Sequence, residues 1–263
     1  MTSFGKIFNQ MFLRKSRYVH LILLIQLFSI IFLSLLILIQ NPHGAPDILL
    51  SMFPGNRFWT IPFSISVITT VFADLTLCGL MCWQNQKINI STTWHLAPIS
   101  ENKVYLSNIL SSVAECVYIF IIQFIWDLII GLIFESTSGR NMINDLAPTF
   151  SDASDDLELI IFLIALVLII FTFVDFVNFS SHAISDFLPV KNAKWVRILI
   201  VAILIIIAAY LFLNINSYIQ DRVNQTFNSY VELWTLNVEY LCGAIIFGIL
   251  NLWLKNKYVE TKN

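Results

Sequence analysis

Long apolar runs separated by short polar stretches are the dominant pattern along this chain. The first run, residues 19–39, contains no charged residue. At a helical rise of about 1.5 Å per residue it spans roughly 31 Å, which matches the apolar core of a bilayer. Five similar runs follow. The pattern therefore predicts six transmembrane helices, at about residues 19–39, 62–83, 106–134, 157–178, 198–214 and 234–254.

We expect an all-α integral membrane protein with a single domain, residues 1–263, because every loop is too short to form a separate core. The segment before the first span, residues 1–18, is amphipathic. Its apolar residues recur at helical spacing, and its cations, Lys15 among them, fall mostly elsewhere around the helix. This predicts an interfacial helix on the inner leaflet with its cations towards the headgroups. It serves either as an anchor or as a contact surface for a cytoplasmic partner.

Composition agrees with a membrane protein, since 57% of the residues are hydrophobic and 12% are charged. The cations also indicate the orientation. If the amino terminus is cytoplasmic, twelve Lys and Arg residues fall on that side and three, Arg57, Arg140 and Arg222, on the other. Positive residues concentrate on the cytoplasmic side of membrane proteins, so both termini are predicted to be cytoplasmic. An excess of Ile and Asn favours a bacterial source, and hence the bacterial plasma membrane.

No enzyme signature is present in the sequence. It lacks the GxxxxGK[ST] phosphate loop, so it is not predicted to bind ATP in the P-loop manner, and it lacks the HExxH and GxSxG patterns. The four cysteines fall inside apolar spans without a His or carboxylate at metal-ligand spacing, so we predict reduced thiols and no metal site. We expect a protein that is not an enzyme, that binds no cofactor and no nucleic acid, and that contacts membrane lipid.

Carboxylates inside the spans are the first candidates for function. An ionised carboxylate near the bilayer centre costs about 2.5–3.5 kcal/mol on insertion scales, so such a side chain must face protein or water. One interpretation is a polar lining for a substrate path or a dimer seam, and the other is interhelical hydrogen bonding that only holds the bundle together. The residues concerned are Asp74, Glu115, Asp127, Asp175 and Glu239, with Gln123 one turn from Asp127.

The inner loop between the second and third spans is the most specific feature. Pro98 disfavours helix continuation, and Ser100 can cap a new helix that begins with Glu101 and continues through Lys103. The anionic Glu101 suits the positive end of that helix. We therefore predict a short rigid element joined to the base of the third span. Its candidate residues are Trp94, His95, Leu96, Pro98, Ile99, Ser100, Glu101 and Lys103.

This loop resembles the corresponding segment of the membrane subunits of type-2 ABC exporters, the bacterial ABC-2 permeases. In that family a leucine-x-proline-aliphatic-serine segment joins the second and third spans, and Leu96, Pro98, Ile99 and Ser100 fit this form. The predicted six spans, cytoplasmic termini and amphipathic amino-terminal helix also fit. Glu101 departs from the family, which often has a basic residue there.

The resemblance implies a permease subunit that forms the translocation path of an ATP-binding cassette exporter. It implies two such subunits, identical or related, joined to two separate ATPase subunits, which would bind the ATP and Mg²⁺. ATP-driven closure of the ATPases would act through residues 91–103. The substrate is not specified.

A second inner loop repeats part of this pattern. Pro189 and Lys194 stand ninety-one residues after Pro98 and Lys103, and Lys191 lies between them. As a hypothesis, both loops contact the same cytoplasmic partner, although Pro and Lys are common in inner loops and a chance match remains an alternative.

Two other functions remain open. A membrane immunity or binding protein could sequester a membrane-active peptide without transporting it, which the acidic outer loops would suit. A secondary, proton-coupled carrier could use Asp74.

Overall fold

The computed structural model describes residues 4–52, 56–89, 91, 100–138, 153–187, 193–227 and 232–259. These residues are almost entirely helical, and they contain no strand. The helices are α1 (Phe4–Gln40), α2 (Asp47–Met52), α3 (Thr60–Asn89), α4 (Glu101–Ser138), α5 (Ala153–Phe187), α6 (Ala193–Phe227) and α7 (Glu232–Leu254), the last continued by a π-helical turn, Lys255–Val259.

Six of these helices, all except the short α2, are long and apolar enough to cross a membrane. The prediction of a six-span, all-α, multi-pass membrane protein is thus confirmed. Each predicted span lies inside one helix, but the helices are longer than the apolar runs. The fifth run, residues 198–214, is short for a bilayer, whereas the spanning part of α6 covers Trp195–Tyr218.

Helix α1 runs without a break from Phe4 to Gln40, through the boundary expected at residue 18. One face of it is buried from the predicted interfacial segment well into the predicted span. Buried positions recur every three or four residues, as one helix face requires. They are Met11, Lys15, Val19, Ile22, Gln26, Ile30 and Ser34.

The helices separate into two compact units, and the first, the N-terminal unit, comprises residues 8–81 and 111–153. In it α1 and α4 run parallel, because Lys15 contacts Ser111, His20 contacts Tyr118, and Gln26 contacts Gln123 in rising order. Helix α3 runs antiparallel to both. Its Thr70 contacts Gln26 and Asp127.

The connection between α1 and α3 folds back tightly in this unit. Ala45 donates its backbone N–H to the carbonyl of Arg57 at 2.8 Å, and Gly44 precedes it with a φ of +100°. Ala45 is buried with Ile30, Ile61 and Ile65. Glycine is favoured at position 44 because a side chain there would be strained.

The second unit, the C-terminal unit, comprises residues 1–7, 82–110 and 154–263. Helices α5 and α7 run parallel in it, since Phe162 contacts Tyr240 and Phe173 contacts Phe247. Helix α6 runs antiparallel to them. Its Arg197 donates hydrogen bonds to Asn178 and Ser181 of α5, and its Phe212 contacts Tyr240 of α7.

Candidate functional site

A row of polar residues winds along α4 in the N-terminal unit. Ser111, Glu115, Gln123 and Asp127 are spaced by multiples of four residues, so successive members lie one or two turns apart and the row turns gradually around the helix, with the buried Ile119 between Glu115 and Gln123. From Ser111 to Asp127 the row extends about 24 Å along the helix axis, most of the thickness of a bilayer core. Two of its members, Gln123 and Asp127, were predicted to lie one turn apart.

Lys15 of α1 meets the start of this row. Its side chain is completely buried, and its Nζ donates hydrogen bonds to Ser111 Oγ at 2.8 Å and to Ser112 Oγ at 2.6 Å. The expectation that Lys15 faces the lipid headgroups is therefore wrong. Lys15 lies on the same face of α1 as the buried Met11 and Val19, so the face that packs against protein includes one of the cations.

Glu115 lies one turn beyond Ser111 and is also completely buried. Neither of its carboxylate oxygens has a hydrogen-bond partner among the described residues. Lys15 is close enough to act on it electrostatically, and the buried Cys116 is within range of both Glu115 and Asp74 of α3. A group of titratable side chains thus occupies the interior of the N-terminal unit.

The part of the row nearer the carboxyl end of α4 belongs to a continuous hydrogen-bond network. Gln123 hydrogen bonds to Asp74, and its Nε2 donates to Gln26 Oε1 at 3.1 Å. Gln26 Nε2 donates to Thr70 Oγ1 at 2.9 Å, and Thr70 donates in turn to Asp127 Oδ2 at 3.4 Å.

Ser66 completes this network by donating to Asp127 Oδ1. The sequence did not predict that Lys15, Gln26, Ser66 or Thr70 belongs to the site. Gln26 could have been recognised from the sequence, because it is a large polar residue within a charge-free apolar run. Serine and threonine inside a span have no comparable feature that indicates a role in the site.

A second buried polar cluster lies in the C-terminal unit, at the ends of the helices that flank the inner loop. Asn89, the last residue of α3, donates to Asp175 Oδ2 of α5 at 3.2 Å. Asn108 of α4 donates to Asn89 Oδ1 and to the carbonyl of Asn85, each at 3.2 Å. The same cluster includes Glu101, Tyr105, Thr172, Asn251 and Lys255, and we call it the inner cluster.

Helix α7 holds the start of α4 in the same cluster. Asn251 Nδ2 donates to Tyr105 Oη and to the carbonyl of Thr172, each at 2.8 Å. Lys255, almost completely buried, donates to the carbonyl of Glu101 at 3.5 Å and lies within electrostatic range of Asp175. Both chain ends of the inner loop are therefore attached to α5 and α7 by buried hydrogen bonds.

The residues predicted for the coupling loop are only partly described. Helix α4 begins at Glu101, and the carbonyl of Ser100 accepts the backbone N–H groups of Lys103 and Val104. Glu101 is half-buried and Lys103 is exposed. Trp94, His95, Leu96, Pro98 and Ile99 lie outside the described residues.

The second predicted loop is described even less. Pro189 and Lys191 lie outside the described residues, and Lys194 belongs to the first turn of α6, with its side chain outside them. Within the described ranges, no group of three or more His, Cys, Asp or Glu residues could hold a metal ion. The last predicted carboxylate, Glu239, lies on α7 and lines an apolar cavity.

Comparison with protein-family models, with curated proteins and with solved structures gives no match to this chain.

Proposed function

We propose that this chain is the membrane subunit of an ATP-driven exporter of the type-2 ABC class, located in a bacterial plasma membrane. In this proposal it forms the translocation path together with a second copy of itself or a related subunit. Nucleotide binding and hydrolysis belong to separate ATPase subunits, so the chain itself carries out no covalent chemistry.

The continuity of α4 is the observation that carries the proposal. A single helix begins at Glu101, directly after the inner loop, and continues to Ser138. The same helix carries the buried polar row from Ser111 to Asp127. A helix transmits force along its axis, so a push on the loop would displace the polar row.

The inner cluster supports the same mechanism. Because Asn89 is bonded to Asp175 and the carbonyl of Glu101 is bonded to Lys255, movement of either end of the loop would also reach α5 or α7. Buried polar groups that lose their partners are costly, so such a cluster has few stable arrangements. Discrete arrangements are what a transporter needs in order to alternate between two states.

The proposed orientation places both termini and the inner loop in the cytoplasm, on the basis of the distribution of Lys and Arg. The first turns of α1 would then lie at the inner leaflet. Arg14 and Arg17 are exposed and suit contact with headgroups, whereas Met11 and Lys15 pack against protein. In this proposal the amphipathic segment extends directly into the first span.

The test is co-purification of the chain with its energy source. An affinity-tagged copy, expressed from its native gene neighbourhood and purified in mild detergent, should bring down an ATP-binding subunit in equal amount. Replacing residues 92–99 by a scrambled sequence of the same composition should abolish this association. A matched control scrambles residues 41–43, which lie on the proposed outer side, and should retain it.

Purification of a monodisperse, active protein without an ATP-binding subunit would contradict the proposal. In that case the buried Glu115, with neither oxygen hydrogen bonded among the described residues, favours a proton-coupled carrier instead. Crosslinking from cysteines introduced at Lys103 and Lys191 tests the hypothesis of a shared partner. Labelling of the ATPase by the first alone would exclude the second loop from the contact.

A further inference from the structure

The C-terminal unit contains a large cavity between α5, α6 and α7, with a volume of about 1080 Å³. Ligand sites in proteins are commonly about 300–1,000 Å³, so this one has room for a molecule of drug size. Leu211 and Ile246 line the cavity and are more than half exposed at the same time. The cavity therefore opens towards the lipid that surrounds the spans.

Aromatic rings form much of the cavity wall. Phe247 contacts Phe173 and Phe176, with ring centroids 5.3 Å and 5.2 Å apart, and Phe212 contacts Tyr240 at 5.8 Å. All five rings line the cavity. The face of an aromatic ring is negative, so clustered rings attract cations that carry little water.

Glu239 is the one charged residue in this wall, and no Lys, Arg or His lines the cavity within the part of the chain that the structure describes. Its two carboxylate oxygens are shielded from solvent, and neither has a hydrogen-bond partner among the described residues. A carboxylate in so apolar a setting is costly when ionised, and a cation held nearby would offset that cost through the low dielectric.

We propose that this cavity binds a hydrophobic cation, a molecule that combines a delocalised or shielded positive charge with a bulky apolar body. The apolar walls accept the body and the aromatic faces attract the cation, while the Glu239 carboxylate, whose oxygens lie behind the cavity surface, attracts it through space and not by contact. An anion is disfavoured by Glu239 and by the lack of basic groups in the described lining. A neutral lipid chain would fill the cavity, but the negative charge of Glu239 would add nothing to its binding.

If the bound cation is a transported substrate, that role rests on the proposed transport function. Binding of the cation to the cavity does not depend on that function. Binding is therefore measured without any ATPase subunit. The full-length chain is purified and placed in nanodiscs of neutral phosphatidylcholine. Equilibrium dialysis then measures its affinity for tetraphenylphosphonium, and for triphenylphosphine oxide as a neutral analogue of similar shape.

Two pairs of variants distinguish the effect of the Glu239 charge from the effect of the cavity volume. Glu239→Gln removes the charge at constant size, and Glu158→Gln makes the same change outside the lining. Ala208→Trp fills the cavity from α6, and Ala202→Trp adds the same bulk at an exposed position of that helix outside the lining. Unchanged thermal unfolding of a variant shows that it is folded.

We expect saturable binding of tetraphenylphosphonium that Glu239→Gln weakens by about tenfold or more, and that Ala208→Trp abolishes. Glu158→Gln and Ala202→Trp should bind like the unaltered protein, and the neutral analogue should bind weakly to all of them. Equal affinity for the two probes, the same affinity in Glu239→Gln, or no saturable binding would each overturn the proposal. None of these results bears on co-purification with an ATPase, so the two proposals fail separately.

Discussion

Lys15 of α1 donates a hydrogen bond to Ser112 Oγ of α4 at 2.6 Å, and both side chains are completely buried. A lysine at this depth must be compensated by partners, because desolvation of its charge is expensive. Ser111, Ser112 and the nearby Glu115 supply that compensation. The pairing fixes α1 and α4 in parallel register at the start of the polar row.

Replacement of Lys15 should therefore destabilise the protein. We expect Lys15→Met to lower the free energy of unfolding by about 1–3 kcal/mol, because two buried hydroxyl groups lose a charged donor and the Glu115 carboxylate loses its counter-charge. The control is Arg14→Met, which removes an exposed cation from the adjacent position. Thermal unfolding in detergent measures both.

The double variant Lys15→Met with Glu115→Gln tests the role of the carboxylate. It should be more stable than Lys15→Met alone, because no uncompensated charge is left inside the unit. Additive destabilisation would show that Lys15 and Glu115 do not interact, and equal stability of Lys15→Met and Arg14→Met would refute the structural role of the buried lysine.

In the proposed exporter, the polar row and the side chains beside it should become accessible to water during turnover. Ser66→Cys, at the residue that donates to Asp127 of the row, and Ser112→Cys, beside Ser111 of the row, are introduced one at a time after replacement of the four native cysteines. Each should react with a membrane-impermeant maleimide faster in the presence of ATP and the partner ATPase. A path that opens must hydrate its polar lining, whereas purely structural hydrogen bonds stay closed. Leu75→Cys, on the exposed face of α3, is the control and should show no dependence on ATP. Identical rates with and without ATP at both serine positions would leave only the structural interpretation of the row.

Asn251 and Tyr105 should be energetically coupled in the inner cluster. Their hydrogen bond, at 2.8 Å, is buried, and we expect a coupling energy of about 0.5–3 kcal/mol from a double-mutant cycle of Asn251→Leu and Tyr105→Phe. Asn256→Leu, at an exposed position close to Asn251, provides the matched control and should not couple to Tyr105→Phe. A coupling energy near zero for Asn251 would contradict the described contact.

Gly44 should be far more sensitive to substitution than the other glycines that can be compared with it. A Cβ at Gly44 would lie 2.6 Å from Arg57 Cβ and 3.2 Å from the Arg57 backbone, at a φ of +100°. We expect Gly44→Ala to cost about 1–3 kcal/mol, because both the backbone conformation and the space are wrong for a side chain. At Gly243 the Cβ would meet only the flexible end of Ile169, and at Gly79 it would meet nothing within 4 Å. Unfolding of the three alanine variants should rank Gly44 as the most damaging by a clear margin.

The sequence predicted the spans well because the energetic cost of placing polar groups in lipid acts on each segment separately. Residues 19–39 are apolar throughout, and no tertiary information is needed to recognise them as a span. The extent of the helices was less predictable. Polar first turns such as Glu101–Lys103 are helical because they continue a spanning helix, and hydropathy alone does not report this.

The candidate site was predictable only in part. A carboxylate within a span is recognisable from the sequence because it is rare there. The carboxylates that lie in or beside buried polar clusters are Asp74, Glu115, Asp127 and Asp175. Their hydroxyl partners could not be recognised in this way, because Ser66 and Thr70 are tolerated in any span and acquire their role only when α3 packs against Asp127. Lys15 was misassigned because a cation near a predicted membrane surface usually faces water, and only the register of α1 against α4 shows that it points inward.

In the proposed mechanism an external ATPase moves α4 through the inner loop, and a comparison of labelling rates distinguishes this coupling from movement without it. Labelling of Ser66→Cys is measured in nanodiscs to which the same excess of separately purified ATPase is added, once with the native loop and once with residues 92–99 scrambled. The account predicts an ATP-dependent rise in labelling rate for the native loop and no rise for the scrambled one, at equal stability. An undiminished rise with the scrambled loop would contradict the account.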